Sequence, residues 1–414
     1  MKKIILIVFI IQTSIQFVEA QWIKQYQNTT SVGLHDVKFI NETTGWACGS
    51  GIILKTTNAG TEWLAQPHLA TNKELYSISP VDSMIVYCAG FFETILKTTN
   101  GGTSWDTLRN GPFGQGTSYE GTFFLNKDTG WICGSLGVVL KTTNGGVNFE
   151  SSSISSAGYT KDMYFINAVT GLLSGEGGGM YKTTNGGLNW SRKTIPYWNG
   201  IGDFRKLSVI NNQYVFVGED GRRVFKSTNF GDTWDSIGYI AGANQPYVCR
   251  FSSLNTGWVG GTFGELYKST DAGATWRREN TNGDIRYIGA MYFLSDLVGW
   301  VVGGNTKIFY TTTGGLTFIK NENPGIINQY KLHQNYPNPF NPETKIKFDL
   351  PVSGNVKLSV YNILGEEIIV LLNERLNAGS YELDFNGTNY SGGVYFYKMT
   401  DGKSIELKKM ILLK

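Results

Sequence analysis

Seven copies of one short motif follow each other along most of the chain. The motif is Lys-Thr-Thr-Asn or a close variant, and its copies begin at Lys55, Lys97, Lys141, Lys182, Lys226, Lys268 and Tyr310. Successive copies are 41 to 44 residues apart. Each is followed by an aromatic residue, namely Trp63, Trp105, Phe149, Trp190, Trp234, Trp276 and Phe318. A fixed period of this length restricts the fold to a repeat architecture.

Each copy predicts four short β-strands. In the first copy, an apolar run at residues 36–40 precedes Gly45-Trp46, which opens the second strand. Residues 52–55 form the third strand, and the residues after Trp63 form the fourth. Four strands in about 43 residues are the unit of a β-propeller blade, so we predict an all-β, seven-bladed β-propeller. A solenoid of stacked strands is the alternative.

Residues 22–26 have the pattern of a fourth strand that no blade precedes. We expect this strand to pair with the seventh blade, as its outermost strand, and so to close the ring.

The turn between the third and fourth strands resembles the Asp box of sialidases, sortilin-type receptors and some glucanases. Residues 269–276 match its pattern fully, and most other copies carry Asn in place of Asp. These side chains can accept backbone N–H bonds inside the turn, so we interpret them as structural. They are Asn58, Asn100, Asn144, Asn185, Asn229 and Asp271. The complete repeat, over residues 22 to about 320, resembles photosystem II assembly-factor-like propellers, which implies the fold and little about function.

The first twenty residues predict a secretory signal peptide. Lys2 and Lys3 precede an apolar run at residues 4–11, and small residues precede a cleavage site between Ala20 and Gln21. The alternative is a membrane anchor, but the run is too short to span about 30 Å. No later stretch is apolar enough to cross a bilayer, so we predict no transmembrane span in the mature chain.

Four cysteines in an exported chain raise the question of disulfides. Cys48 and Cys133 occupy the same position in blades one and three, and Cys88 lies one position off. Small buried thiols are therefore the preferred interpretation.

The composition changes near Pro324, where the repeat stops. The following segment resembles a type A sorting domain of the type IX secretion system, over residues 330–414. The motif residues are Tyr336, Pro337, Asn338, Pro339, Phe340, Asn341, Pro342, Leu364, Gly365, Gly379, Tyr395, Lys409 and Met410. Six or seven alternating strands predict a small Ig-like β-sandwich. An ordinary surface-binding sandwich is the alternative.

The expected domains are a signal peptide (1–20), a propeller (21–325) and the sorting domain (326–414). The resemblance implies export across the outer membrane by the type IX translocon. A surface sortase then removes the domain, and the propeller is released or attached to the cell surface.

The residue inventory limits catalysis. Three histidines leave little for a metal site or a Ser-His-Asp triad, and the sialidase Phe/Tyr-Arg-Ile-Pro motif is absent. We therefore predict no metal and no cofactor. A net charge of +3 favours neither nucleic acid nor an anionic membrane as partner. A glycoside hydrolase needs only two carboxylates, for which Asp36, Glu120 and Asp162 are candidates near the channel mouth.

The preferred hypothesis is a non-catalytic propeller that binds a surface protein or glycan, with a glycoside hydrolase as the alternative. Variable loops on the upper face would carry the ligand. Trp198 is the only tryptophan outside the repeat template. The candidate ligand-binding residues are Tyr197, Trp198, Arg205, Glu219, Arg222, Arg223, Tyr247 and Arg286.

Overall fold

A computed structural model describes residues 22–27, 32–112, 116–196, 198, 202–279, 281, 285–312, 314–315, 317–318, 327–376, 378–387 and 390–413. The predicted signal peptide, its cleavage site and the predicted linker at 322–325 lie outside these ranges. The described residues form 36 strands and two 3-10 turns, Ser135–Gly137 and Gly304–Thr306. No helix within the described part is long and apolar enough to cross a membrane.

Seven four-stranded antiparallel sheets form the blades of the propeller. Their innermost strands are β2 (Leu34–Phe39), β6 (Leu75–Pro80), β10 (Tyr119–Phe124), β14 (Thr160–Phe165), β18 (Phe204–Ile210), β22 (Pro246–Phe251) and β26 (Ile288–Phe293). The second strands are β3 (Gly45–Gly49), β7 (Val86–Gly90), β11 (Gly130–Gly134), β15 (Gly171–Gly175), β19 (Tyr214–Glu219), β23 (Gly257–Gly261) and β27 (Gly299–Gly303).

The third strands, which carry the repeated motif, are β4 (Ile52–Thr56), β8 (Thr94–Thr98), β12 (Val138–Thr142), β16 (Gly179–Thr183), β20 (Arg223–Ser227), β24 (Leu266–Ser269) and β28 (Lys307–Thr311). The outermost strands are β1 (Ile23–Tyr26), β5 (Leu64–Ala65), β9 (Asp106–Arg109), β13 (Glu150–Ser153), β17 (Ser191–Arg192), β21 (Asp235–Tyr239) and β25 (Arg277–Glu279). Each innermost strand lies against the next, and β26 lies against β2, so the ring is closed.

The N-terminal strand closes the ring as predicted. Blade seven has the order β1-β28-β27-β26, with β1 outermost. The side chain of Gln25 joins blade seven to blade one, because its Oε1 accepts the Trp300 indole N–H (3.2 Å) and its Nε2 donates to the Ala59 carbonyl (3.0 Å). The two ends of the propeller chain therefore meet in one blade.

Phe318, counted from the sequence as the aromatic residue of the seventh copy, does not belong to blade seven. Its strand, β29 (Thr317–Phe318), pairs with the C-terminal strand β34 (Gly379–Asn386) and not with blade seven. Trp22 takes the aromatic position of that blade, with its ring perpendicular to Phe293 at 6.1 Å, as Trp63 is to Phe39 at 5.8 Å in blade one. Because β1 already occupies the edge of β28, the chain after Gly315 has no strand there to pair with.

The lysine of the repeated motif fastens one blade to the next. Lys55 Nζ lies 5.1 Å from the centre of the Trp46 ring and donates to the Gly101 carbonyl in the turn of blade two (2.6 Å). Lys97 repeats this arrangement on Tyr87 and the Gly145 carbonyl. The ammonium is bonded at the blade boundary, which explains why the motif begins with a cation.

The turns after the third strands share one hydrogen-bond pattern. In blade one, Thr56 Oγ1 accepts the Gly60 N–H (2.8 Å) and Asn58 Oδ1 accepts the Glu62 N–H (2.9 Å). Asn100, Asn144, Asn185, Asn229 and Asp271 accept the corresponding N–H bonds. Gly60 adopts φ +84°, which glycine tolerates best. All four cysteines are free and buried within the blades.

The C-terminal residues form two further four-stranded sheets. One has the order β29-β34-β31-β30, with β30 (Lys331–Leu332) and β31 (Glu343–Leu350). The other has the order β33-β32-β35-β36, with β32 (Gly354–Tyr361), β33 (Glu367–Leu376), β35 (Gly393–Thr400) and β36 (Ile405–Leu412). A single apolar core between them includes Phe348, Leu358 and Tyr397, as expected for a sandwich. Eight strands are described because β29 and the two-residue β30 join the predicted set.

Candidate functional site

Every innermost strand of the propeller is interrupted by a β-bulge near its first residue. The register shifts between the first and third residues of six of these strands, and between Phe204 and Leu207 in β18. A bulge redirects side chains and often lies beside a binding site. The residues at the second position are His35, Tyr76, Glu120, Lys161, Arg205, Tyr247 and Gly289. Because the innermost strands of a propeller line its channel, these positions lie at the channel end that carries the fourth-to-first and second-to-third connections, which we call the upper face.

Two of the three candidate catalytic carboxylates bind the neighbouring blade. Asp36 Oδ2 accepts the Ile78 N–H (3.1 Å), and its Oδ1 accepts the Val37 N–H (3.0 Å). In the same way, Asp162 Oδ2 accepts the Leu207 N–H (2.9 Å). Asp36 is 2% exposed and Asp162 is 9% exposed. These carboxylates therefore complete the backbone hydrogen bonds between innermost strands.

The ammonium group of Lys206 balances these carboxylates inside the channel. Lys206 lies within the bulge of β18, at the third position of the strand, as Asp36 does in β2. Burial disfavours its charge, but Asp36 and Asp162 together raise the pKa of Lys206. Burial likewise opposes the ionisation of Asp36, yet Lys206, Lys38 and the N–H bonds hold its pKa below the usual value. Asp36 is therefore ionised at neutral pH and is unsuited to act as a general acid.

The third candidate carboxylate, Glu120, accepts a hydrogen bond from the Ser118 hydroxyl (2.8 Å). Nearby, Glu74 Oε2 binds His35 Nε2 (2.7 Å) and accepts the Ser50 hydroxyl (2.6 Å). The His35 and Tyr76 rings lie 5.2 Å apart. Burial, followed by the charges of Glu120 and Glu74, raises the pKa of Tyr76, so this part of the mouth presents neutral phenol beside acidic groups.

A second polar cluster lies where blades four and five meet on the upper face. The Arg205 guanidinium binds both Asp220 oxygens (3.3 and 3.2 Å), and Lys161 pairs with Glu176 at 3.3 Å. Glu219 is 1% exposed, and the described residues provide no partner for its Oε1. Burial raises the pKa of Glu219 to about 7.

Trp198 lies at the same blade boundary. Its ring covers Gly178, where a Cβ atom would come within 2.4 Å of the indole, and it packs on the apolar core of blade five. Its indole nitrogen is buried with no partner among the described residues. Trp198 is thus half-buried and held by a glycine turn.

The structure places the other candidate ligand residues as follows. Arg222 lies in the β19–β20 turn with φ +74°, Arg223 begins β20, and Arg286 is exposed before β26. Tyr197 and the side chain of Tyr247 lie outside the described part. Three residues of this region were missed by the sequence analysis, namely Glu74, Tyr76 and Lys206. Aligning the second and third positions of all seven innermost strands would have found Tyr76 and Lys206.

The described residues contain no group of three or more His, Cys, Asp or Glu side chains able to hold a metal ion.

The sorting-motif residues divide by exposure. Phe340, Gly379, Tyr395 and Met410 are buried. In contrast, Tyr336 is 80% exposed and Leu364 is 77% exposed. Pro337, Pro339, Asn341, Pro342, Gly365 and Lys409 are also exposed, and Asn338 is half-buried. Folding alone does not require the exposed side chains.

Comparisons with solved structures identify the propeller fold. A structure described as "YCF48 bound to D1 peptide" is 18% identical, with a TM-score of 0.59, and the match covers 70% of this chain and 97% of that chain. Virginiamycin B lyase from Staphylococcus aureus is 12% identical, with a TM-score of 0.59, over 71% and 99% of the two chains. At these identities, the likeness concerns the fold alone.

A third structure extends across both parts of the chain. It is PorZ, described as an essential bacterial surface component of the type-IX secretion system of Porphyromonas gingivalis. It is 12% identical, with a TM-score of 0.54, over 92% of this chain and 59% of that chain. No curated protein matches the sequence.

Residues 334–413 match the family model of the secretion system C-terminal sorting domain. This range begins just after β30 and contains strands β31 to β36. The C-terminal sandwich is therefore a sorting domain, through which the type IX system carries the protein to the cell surface or the medium.

Proposed function

We propose that the propeller is a non-catalytic module that binds a glycan outside the cell, on its upper face. The observation that carries this proposal is the use of Asp36 and Asp162 in hydrogen bonds between blades. A retaining or inverting glycosidase needs one carboxyl group that is free to donate a proton. Asp36 is buried, bonded and held ionised, which argues against the hydrolase alternative built on Asp36, Glu120 and Asp162.

The channel mouth supports a polar ligand. Phenolic, acidic and basic side chains lie around it, at Tyr76, Glu120, Lys161 and Arg205. The planar Arg205–Asp220 pair and the aromatic groups Tyr76 and Trp198 offer the mixture of hydrogen bonds and flat apolar surface that sugars use.

A glycan array probed with labelled chain 21–414 tests this function. Arg205→Gln should lower binding at least tenfold, because it removes the charged pair. Val147→Ser is the control: Val147 is 78% exposed in a turn on the opposite face, so its substitution should leave binding unchanged. Release of new reducing ends from a bound glycan would contradict the non-catalytic role. Binding only to protein ligands would contradict the proposal that the ligand is a glycan.

We also propose the domain limits 21–325 and 326–414. Limited proteolysis that cuts between residues 319 and 330 and leaves two stable fragments would support them. Because β29 pairs with β34, a stable sandwich fragment that begins before residue 317 would move the limit upstream.

A further inference from the structure

Half of one edge of the sorting domain is covered by the chain itself. β36 is the edge strand of its sheet. Its C-terminal half is bonded along the outer side: the Phe340 N–H donates to the Ile411 carbonyl (2.9 Å), and the Leu413 N–H donates to the Phe340 carbonyl (2.8 Å). Asn338 Oδ1 accepts the Ile411 N–H (2.9 Å). The motif segment 334–340 therefore closes this half of the edge.

The N-terminal half of β36 is open. In an antiparallel ladder, every second residue directs its N–H and C=O away from the neighbouring strand. Ile411 does so, and Leu407 and Ile405 must do the same because β36 pairs with β35 without a break in register. No described residue bonds to the backbone of Ile405 or Leu407 on this side. Their side chains are 70% and 55% exposed.

Exposed apolar residues on an open edge are unusual, because soluble proteins normally cover or charge such edges. Leu407 lies directly opposite Lys398, and Lys409 is two residues further along β36 on the same face. On this face, the acidic side chain of Glu367 is already bound by Lys357 at 2.8 Å, and Glu406, between Ile405 and Leu407, lies on the opposite face of β36. An approaching strand would therefore meet two apolar side chains flanked by positive charge.

We propose that an extended strand of the export machinery, carrying acidic side chains, adds to β36 along Ile405–Leu407. The occupant follows from two observations: the domain is recognised by a secretion system, and the lysines beside the open edge complement an acidic partner. Backbone bonds supply the affinity, and Leu407 and Ile405 supply apolar contacts. This inference rests on the sorting domain and is independent of the ligand of the propeller.

The test is export of the full chain in a bacterium that has the type IX system, measured as the fraction found outside the cell. Leu407→Pro removes the outward N–H, and proline is tolerated where an edge N–H faces solvent. Export should fall at least tenfold. Leu407→Glu should reduce export more than Leu407→Lys, because only the former repels an acidic partner. Val352→Lys, at a 68% exposed position in the β31–β32 turn, should export normally.

Circular dichroism of each purified chain verifies folding, and the two charge variants keep the test valid if the proline variant fails to fold. Normal export of folded Leu407→Pro would overturn the proposal. Equal export of the Glu and Lys variants would overturn the acidic partner. If light scattering shows that the wild-type chain dimerises and that Leu407→Glu does not, the partner of the β36 edge would instead be a second copy of the chain.

Discussion

The closure of the propeller depends on Trp22, which can be tested by substitution. Trp22 is 3% exposed and packs on Phe293 in the core of blade seven. Gly315 contacts the Trp22 indole as Gly60 contacts the Trp63 indole. A Cβ atom added to Gly315 would lie 2.9 Å from the Trp22 indole nitrogen, and one added to Gly60 would lie 2.8 Å from the Trp63 indole nitrogen. Truncating a buried tryptophan costs about 3 to 5 kcal/mol. We expect Trp22→Ala to destabilise the propeller by that amount.

The measurement is urea unfolding of chain 21–414, combined with hydrogen exchange of the peptide that contains β28. Ile23 and Lys24 pair with Tyr310 and Phe309, so exchange in β28 should increase when β1 detaches. Trp63→Ala is the matched variant, because Trp63 is 5% exposed and occupies the same template position in blade one.

The two variants should lose stability to within about 1 kcal/mol of each other, an ordinary margin for sites of the same kind. A loss below about 1 kcal/mol for Trp22→Ala, with unchanged exchange in β28, would refute the role of Trp22 as the aromatic of blade seven.

Three further predictions concern polar groups. Burial raises the pKa of Glu219 from an ordinary 4.5 to about 7, so the folded chain retains a proton that the unfolded chain releases. Stability should therefore fall as pH rises between these two values. Glu219→Gln should remove up to about 3 kcal/mol of this dependence in urea unfolding at pH 5 and pH 8. Lys206→Met should cost about 3 kcal/mol at pH 7, because the ionised Asp36 carboxylate loses its counter-charge; a loss below about 1 kcal/mol in urea unfolding would contradict it. Tyr397→Phe should cost about 1 to 3 kcal/mol of sandwich stability, since its hydroxyl accepts the Asn335 N–H and donates to the His333 carbonyl; thermal unfolding of the chain measures this.

Local chemistry made most of the fold predictable. The turn after each third strand needs a side-chain acceptor, a glycine and an aromatic residue within a few positions, so the repeat could be counted from the sequence. The assignment of Phe318 to blade seven was wrong for a non-local reason. Its local pattern fits the template, but β1 competes for the same edge of β28, and the sequence near Phe318 carries no sign of that competition.

The candidate site was less predictable, because its groups come from different blades. Asp36 looks like a catalytic carboxylate when only β2 is considered. Its role emerges only when the Ile78 N–H of the next blade and the Lys206 ammonium of blade five are brought beside it. The hydrogen bond from Lys55 Nζ to the Gly101 carbonyl is similar, because the two residues are 46 positions apart in the chain.

The sequence by itself determined the number of blades, the structural turns and the sorting domain, because each depends on residues close together in the chain. The tertiary structure alone decided which aromatic residue completes blade seven, which carboxylates are engaged between blades and which half of β36 is open. Those outcomes depend on which chain segment reaches a shared edge or channel, and that is fixed only when the ring and the sandwich have formed.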